Sequence, residues 1–227
     1  MPSPSLRWER KILRAGAQRV AGLDEVGRGA WAGPVIAAVV ILPLPMRNLR
    51  SRLSGVRDSK QMTSLQRTQW AEAILGLAEV GVGGATAQEV DQLGLIPATR
   101  LAMARALAGL ASPPDHLLID HLRLPDIPLP QTPLTFGDQI SLSIAAASVV
   151  AKVRRDGLMD ALDLEHPGFG FAQHKGYGTR EHRRALAERG PSSIHRYSYV
   201  PVASRTFPGW DGLDSRPQAP PAPGPCP

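Results

Sequence analysis

The sequence predicts an α/β layered domain in which helices cover a sheet. Three observations predict it. Two apolar runs rich in β-formers, "RVAGLDEVG" at 19–27 and "PVIAAVVILP" at 34–43, follow each other across a glycine-rich bend. Segments of helical periodicity then alternate with further short apolar runs. One of those runs, "DHLLID" at 115–120, ends on an acid.

Residues 1–18 carry mixed charge and prolines, and read as an extension with a short helix around "LRWERKILRAG". The runs at 19–27 and 34–43 form two consecutive antiparallel strands. "RDSKQMTSLQRTQWAEAILGL" predicts a helix that opens at Asp58 and Ser59 and repeats through Leu65, Trp70, Ile74 and Leu75. "AEVGVGGATA" at 78–87 is a candidate third strand. A helix over 88–111 follows, with Val90, Leu93, Ile96, Leu101, Ala104 and Leu107 near one face, and Pro97 breaks it in two. The run at 115–120 reads as a buried strand whose tip reaches a site. Asp138 immediately precedes a helix crowded with Ala and Ser, "QISLSIAAASVVAKVRRDGLMDAL", whose small side chains allow a neighbouring backbone to come close. The proline- and glycine-dense stretch from Pro208 cannot build a core and reads as a disordered tail over 208–227. Residues 19–207 are left as one catalytic domain.

Composition excludes several classes. With 43% apolar and 20% charged residues the chain is an ordinary soluble domain, and no apolar stretch approaches the roughly 18 residues that cross a bilayer. The N-terminus has no apolar core followed by a cleavage site, so a cytoplasmic location with no membrane partner is expected. The one cysteine, Cys226, supports neither an intrachain disulfide nor a thiolate metal cluster, so any metal is held by oxygen or histidine. Of 26 basic residues, 22 are arginine, and the net charge of +6 favours a polyanionic partner.

Four acids, Asp24, Glu25, Asp120 and Asp138, stand at the ends or edges of expected core elements. Carboxylates brought together raise the pKa of at least one of them unless a cation neutralises the site. Magnesium suits this task, because it takes oxygen ligands and completes its shell with water and substrate phosphate. Two such ions about 3.5–4 Å apart activate a water and stabilise the leaving oxygen of a phosphodiester. Each acid taken alone also fits an N-cap, a turn or an arginine partner. Successive side chains of a strand alternate in face, so Asp24 is expected as the central ligand and Glu25 as the looser one.

With these residues in place, the chain resembles ribonuclease HII, the bacterial type 2 ribonuclease H, over roughly residues 20–203. The blocks that carry the resemblance are "AGLDEVGRGAWAGPVIAAVVIL", "RDSKQMTSLQR", "DQLGLIPATRLAMARAL", "FGDQISLSIAAASVVAKVRRDGLM" and "HKGYGTREHRRALAERGPSSIHRYSYVPV". The resemblance implies a ribonuclease H-like fold: a mixed five-stranded sheet, antiparallel at first and parallel later, flanked by helices and followed by a helical C-terminal segment. It implies a monomeric endonuclease that uses Mg2+ or Mn2+, held by Asp24, Glu25, Asp120 and Asp138. Its substrates would be RNA-DNA hybrids and single ribonucleotides embedded in duplex DNA. Cleavage on the 5′ side of the ribonucleotide would leave 3′-hydroxyl and 5′-phosphate ends.

It further implies that Gly27, Arg28 and Gly29, with Tyr177, read the ribonucleotide. Glycines let backbone amides approach the nucleic acid, and the 2′-hydroxyl distinguishes RNA from DNA. Tyr177 is equally compatible with a tight Gly-Tyr-Gly turn. Lys60 and Lys175 are candidate phosphate contacts, while Lys152, four residues before Asp156, is expected in an ion pair. Ser141, Ser148, His182 and Arg196 are further duplex candidates. The chain departs from the family pattern at His121, where a glycine is more usual, and at Tyr199, where phenylalanine is usual and the exchange should affect packing more than chemistry. Two rivals remain: a non-catalytic nucleic-acid binder, for which clustered acids are pure repulsion, and a metal-free glycosidase, which 5% aromatic content does not favour.

Overall fold

The computed structural model describes residues 4–204. The expected tail at 208–227 and Cys226 lie outside the described residues. Helix α1 (Arg7–Arg14) leads into β1 (Val20–Val26), which turns into β2 (Val35–Ile41). A short α2 (Leu49–Arg52), a 3-10 turn (Ser59–Gln61) and α3 (Ser64–Leu75) lead to β3 (Glu79–Ala85). Helices α4 (Ala87–Leu93) and α5 (Leu95–Ala108) precede β4 (His116–Asp120) and β5 (Gln131–Leu134). The rest is helical: α6 (Gly137–Ile140), α7 (Leu142–Glu165), α8 (Phe171–His174), α9 (Arg180–Arg189) and α10 (Val200–Ser204).

The sheet has the order β3-β2-β1-β4-β5. β2 pairs antiparallel with both β1 and β3, and β4 pairs parallel with β1 and β5, which is the expected mixed five-stranded sheet. Both faces of the central strands are covered, which explains the unbroken apolar run of β2. Its Ile36, Ala38 and Val40 pack with residues of α3 and α7, and Val35, Ala37, Val39 and Ile41 pack with residues of α5. Burying each larger aliphatic side chain stabilises the fold by about 1.5–3 kcal/mol. The small residues of α7 serve as expected. A Cβ on Gly22 of β1 would meet the Ser143 carbonyl carbon at 2.2 Å, so helix and strand touch backbone to backbone.

Three boundaries differ from expectation. The helix opening at Asp58 is instead a 3-10 turn capped by Asp58, whose side chain accepts from the Lys60 amide; α3 starts later, with Thr63 and Gln66 forming a reciprocal capping box. The helix over 88–111 breaks at Gly94, with φ +83°, and not at Pro97, which lies in the first turn of α5 where a missing N–H is tolerated. The segment read as an extension is docked: Leu6, Glu9 and Ile12 are buried. Glu9 Oε1 accepts from Ser141 Oγ and from the amide and hydroxyl of Ser143. That places a carboxylate at the positive end of the longest described helix, α7. No described helix is long and apolar enough to cross a membrane.

Candidate active site

β1 carries Asp24 and Glu25 at its C-terminal end, and its pairing with β2 is unbroken from Ala21↔Ile41 to Val26↔Ile36. The strand is therefore regular at both acids, and the two carboxylates leave opposite faces. Neighbouring parallel β4 ends on Asp120. Asp138 follows on α6, whose Gly137 amide donates to Asp120 Oδ1 at 2.7 Å. Four acids from three segments of the chain thus meet at one edge of the sheet.

Their electrostatics reveal the arrangement. Burial pushes the Asp24 carboxyl well above its ordinary value, helped by the charges of Glu25 and Asp120 and opposed by a hydrogen bond from Ser148. Burial also raises Glu25; the Arg28 guanidinium, 3.1 Å from Glu25 Oε1, opposes this and Asp120 reinforces it. Asp138 is pushed up to about 6, first by burial, then by the charges of Asp58 and Asp120. Asp120 is thus the acid felt by all three others, where the sequence pointed to Asp24 as the centre.

Asp58 is a fifth acid that sequence reasoning missed. It is 7% exposed, caps the 3-10 turn and shares a side-chain hydrogen bond with Asp138. That contact favours the protonated form of Asp138 and adds to the rise of its pKa. The signal was its place two residues before Lys60 in "RDSKQ", but an acid before a helical pattern is also an ordinary cap.

Beside the acids stands the loop from Gly27 to Pro34. Gly27 has φ +93°, and a Cβ there would meet the Arg155 side chain at 2.2 Å, so this position requires glycine. Gly29 is exposed, with nothing within 4 Å of the place a Cβ would occupy. Two fully buried arginines hold the loop from beneath. Arg155 donates to the carbonyls of Pro34, Ala32 and Lys175, and its guanidinium lies 5.5 Å from the Tyr177 ring centroid. Arg196 donates to the carbonyls of Gly33 and Arg28. The Trp31 and Ala32 amides donate to the Gly176 carbonyl. The Gly27–Gly29 segment and Tyr177 are therefore parts of one stitched unit.

Residues 21–202 match the family described as Ribonuclease HII. The chain belongs to the ribonuclease HII family. It is 54% identical over 200 residues to the Ribonuclease HII of Synechococcus sp. strain JA-3-3Ab, covering 88% of this chain and 89% of that one. Among solved structures it resembles the ribonuclease H2 of Pyrococcus horikoshii OT3, with a TM-score of 0.71 and 24% identity over 82% of this chain and 96% of that chain. It also resembles Bst-RNase HIII in complex with Mn2+, with a TM-score of 0.63 and 20% identity over 83% of this chain and 69% of that chain. The fold is thus that of ribonuclease H enzymes, and the chain is a ribonuclease H-type nuclease.

Within this ribonuclease HII, the other candidates divide by where their polar atoms point. Lys60 is exposed and its charge acts on Asp138, so its ammonium lies beside the acids. Lys152 pairs with Asp156 at 2.7 Å, as expected. Lys175 is engaged by Asp160. Ser141 is a correction: it is fully buried, caps α7 and gives its hydroxyl proton to Glu9, so it does not face a duplex. Ser148 faces Asp24 and Ser59. His182 and Arg196 are likewise buried, with interior partners. His121 adopts φ +59°, a left-handed conformation that explains why glycine suits its position. Tyr199 is more than packing: its hydroxyl donates to the Arg28 carbonyl at 2.5 Å and accepts from Arg196 at 3.1 Å.

Proposed function

We propose that this ribonuclease HII hydrolyses the phosphodiester on the 5′ side of a ribonucleotide, in RNA-DNA hybrids and at single ribonucleotides within duplex DNA. Water adds across the bond between phosphorus and the 3′-oxygen, leaving 3′-hydroxyl and 5′-phosphate ends. The observation that carries this reading is the convergence of Asp24, Glu25 and Asp138 on Asp120, directly beside the loop stitched to Tyr177.

The acids suit a divalent cation. Glu25 Oε2 is buried with no hydrogen-bond partner among the described residues, as befits an oxygen kept for a ligand. The donors are all hard carboxylate oxygens, which favour Mg2+ or Mn2+ over softer metals. Among the described residues no three His, Cys, Asp or Glu groups already stand in metal-holding geometry. One or two carboxylates per ion, completed by water and substrate phosphate, is the usual arrangement for magnesium. Asp24, Glu25, Asp120 and Asp138 would hold the ions, and the Mn2+ named for Bst-RNase HIII agrees with that donor chemistry. When bound, such ions neutralise the acids, acidify the attacking water and stabilise the leaving oxygen.

The chain's own residues supply binding and discrimination. Lys60 meets a phosphate as a mobile point charge. The exposed face at Gly29 lets backbone groups approach the ribose, and Arg28 is held for this by Glu25, Arg196 and Tyr199. Tyr177 stacks on the sugar or base beside the 2′-hydroxyl. A nicking assay tests the reading with three duplexes: one bearing a single ribonucleotide, a long hybrid and an all-DNA control, in Mg2+, in Mn2+ and in chelator. Cleavage confined to the ribonucleotide substrates and dependent on metal is expected. Cleavage of the all-DNA duplex, or in chelator, would contradict it.

A further inference from the structure

Three buried histidines lie behind the Gly176-Tyr177-Gly178 turn, and none of their hydrogen bonds is made to one of the acids. His182 and His195 are 0% and 1% exposed, and His174 is 8% exposed. His174 and His182 stack at 4.4 Å with only 8° between their planes, and Phe171 sets its edge against both.

Their hydrogen bonds fix every proton. The Ser192 backbone N–H is only a donor, and it points at His195 Nδ1 at 2.9 Å. That nitrogen is therefore bare, and the His195 proton sits on Nε2. His195 Nε2 faces His182 Nε2 at 3.0 Å and must donate to it. His182 then carries its proton on Nδ1, which donates to the Tyr177 carbonyl at 3.0 Å. His174 closes the set in the same manner: its Nδ1 accepts from the Gly176 amide, and its Nε2 donates to the Phe169 carbonyl at 2.7 Å. Five of the six ring nitrogens have one partner each; His195 Nδ1 has two, the Ser192 amide and the Ser192 hydroxyl at 2.9 Å, and the amide, which can only donate, fixes its role as acceptor. A further proton on His182 Nε2 would face His195 Nε2–H across 3.0 Å, and one on His195 Nδ1 would face the Ser192 N–H across 2.9 Å. Burial pushes His182 down to about 3 and His195 down to about 4, consistent with three neutral rings.

We propose that His195 and His182 form a tautomer-locked relay, braced by His174, that positions the Tyr177 turn for ribonucleotide recognition. This rests on the reading of Tyr177 as a residue that meets the substrate. The relay runs from the 192–195 segment, 13 residues along the chain from His182, to the Tyr177 carbonyl. The same turn is held by its Gly176 amide on His174, its Tyr177 amide on the His174 carbonyl and its Gly176 carbonyl on Trp31 and Ala32. Its backbone is therefore fixed on several sides, and with it the direction in which the tyrosine leaves. The histidines are positioning residues; none of them touches a reacting atom.

A double-mutant cycle tests this. His182→Leu fills the space without donating, and should lower kcat/KM on a single-ribonucleotide duplex about 10-fold, the size of one lost hydrogen bond, well below the melting temperature. Combined with Tyr177→Ala it should add nothing further, because it acts through the tyrosine. His182→Asn, whose amide N–H overlays Nδ1–H, should restore most of the loss. Effects that multiply in the double variant would overturn the relay, as would wild-type activity in His182→Leu. Wild-type activity in Tyr177→Ala would instead overturn the reading of Tyr177 itself. If His182→Leu does not fold, the intact protein decides: nitrogen-15 NMR should show protons on His182 Nδ1, His195 Nε2 and His174 Nε2, and any other tautomer set contradicts the proposal.

Discussion

Replacing Asp138 by asparagine should stabilise the metal-free protein at neutral pH while abolishing its chemistry. The Asp138 carboxyl titrates at about 6 in the folded chain against an ordinary 3.8, chiefly because it is buried and then because Asp58 and Asp120 surround it. A carboxyl with a raised folded pKa contributes its stability below 3.8 and loses it as pH rises through about 6. At pH 7.5 the folded protein therefore holds an unwelcome charge. The difference of roughly 2.2 units corresponds to about 3 kcal/mol at about 1.4 kcal/mol per unit, and relaxation of the surrounding polar groups reduces this to about 1–2 kcal/mol. Asparagine keeps the volume, removes the charge and can still donate to Asp58. Thermal melts in chelator should thus place Asp138→Asn about 2–8 °C above the wild type at pH 7.5, with the gap closing towards pH 4. Millimolar Mg2+ should raise the wild type more than the variant, because a cation relieves the same repulsion. A variant no more stable than the wild type in chelator, or equally raised by metal, would refute the crowding of these carboxyls.

Two further outcomes follow from the same geometry. Between pH 6.5 and about 4 the unfolded chain protonates histidines that the folded chain keeps neutral, so the unfolded state binds more protons and stability falls with acid. His182 and His195 should each contribute a slope of up to about 1.4 kcal/mol per pH unit, opposite in sign to that of Asp138, and urea titrations should show a shallower acid slope in His182→Leu. Tyr199→Phe should cost about 1 kcal/mol in urea unfolding, because the Arg28 carbonyl loses the tyrosine donor but keeps Arg196. Unchanged stability would mean that the hydroxyl is idle.

How much of this was legible follows from the range of each interaction. The paired strands could be read because β2 is apolar on both faces, and a strand covered on both sides shows as an unbroken run. Asp24, Glu25, Asp120 and Asp138 stood out as a set, because four acids at the ends or edges of core elements share one task even though each alone fits a cap, a turn or an arginine partner. Asp58 was obscured because it caps a turn and joins the site with one side chain. Ser141 was misread because its partner, Glu9, lies 132 residues away in a segment that resembled an appendage. Arg155 and Arg196 were hidden in an arginine-rich composition; only folding brings them to carbonyls more than 120 residues distant. Tyr199 differs from the family pattern by one hydroxyl, and nothing local indicates that the Arg28 carbonyl awaits it.

The most direct measurement is single-turnover cleavage of a duplex bearing one ribonucleotide by Asp24→Asn, alongside its affinity for the same duplex. Loss of cleavage in both Mg2+ and Mn2+, with duplex affinity retained and the melting temperature in chelator equal to or above that of the wild type, is the predicted result. Wild-type turnover by that variant in magnesium would contradict the carboxylate site outright.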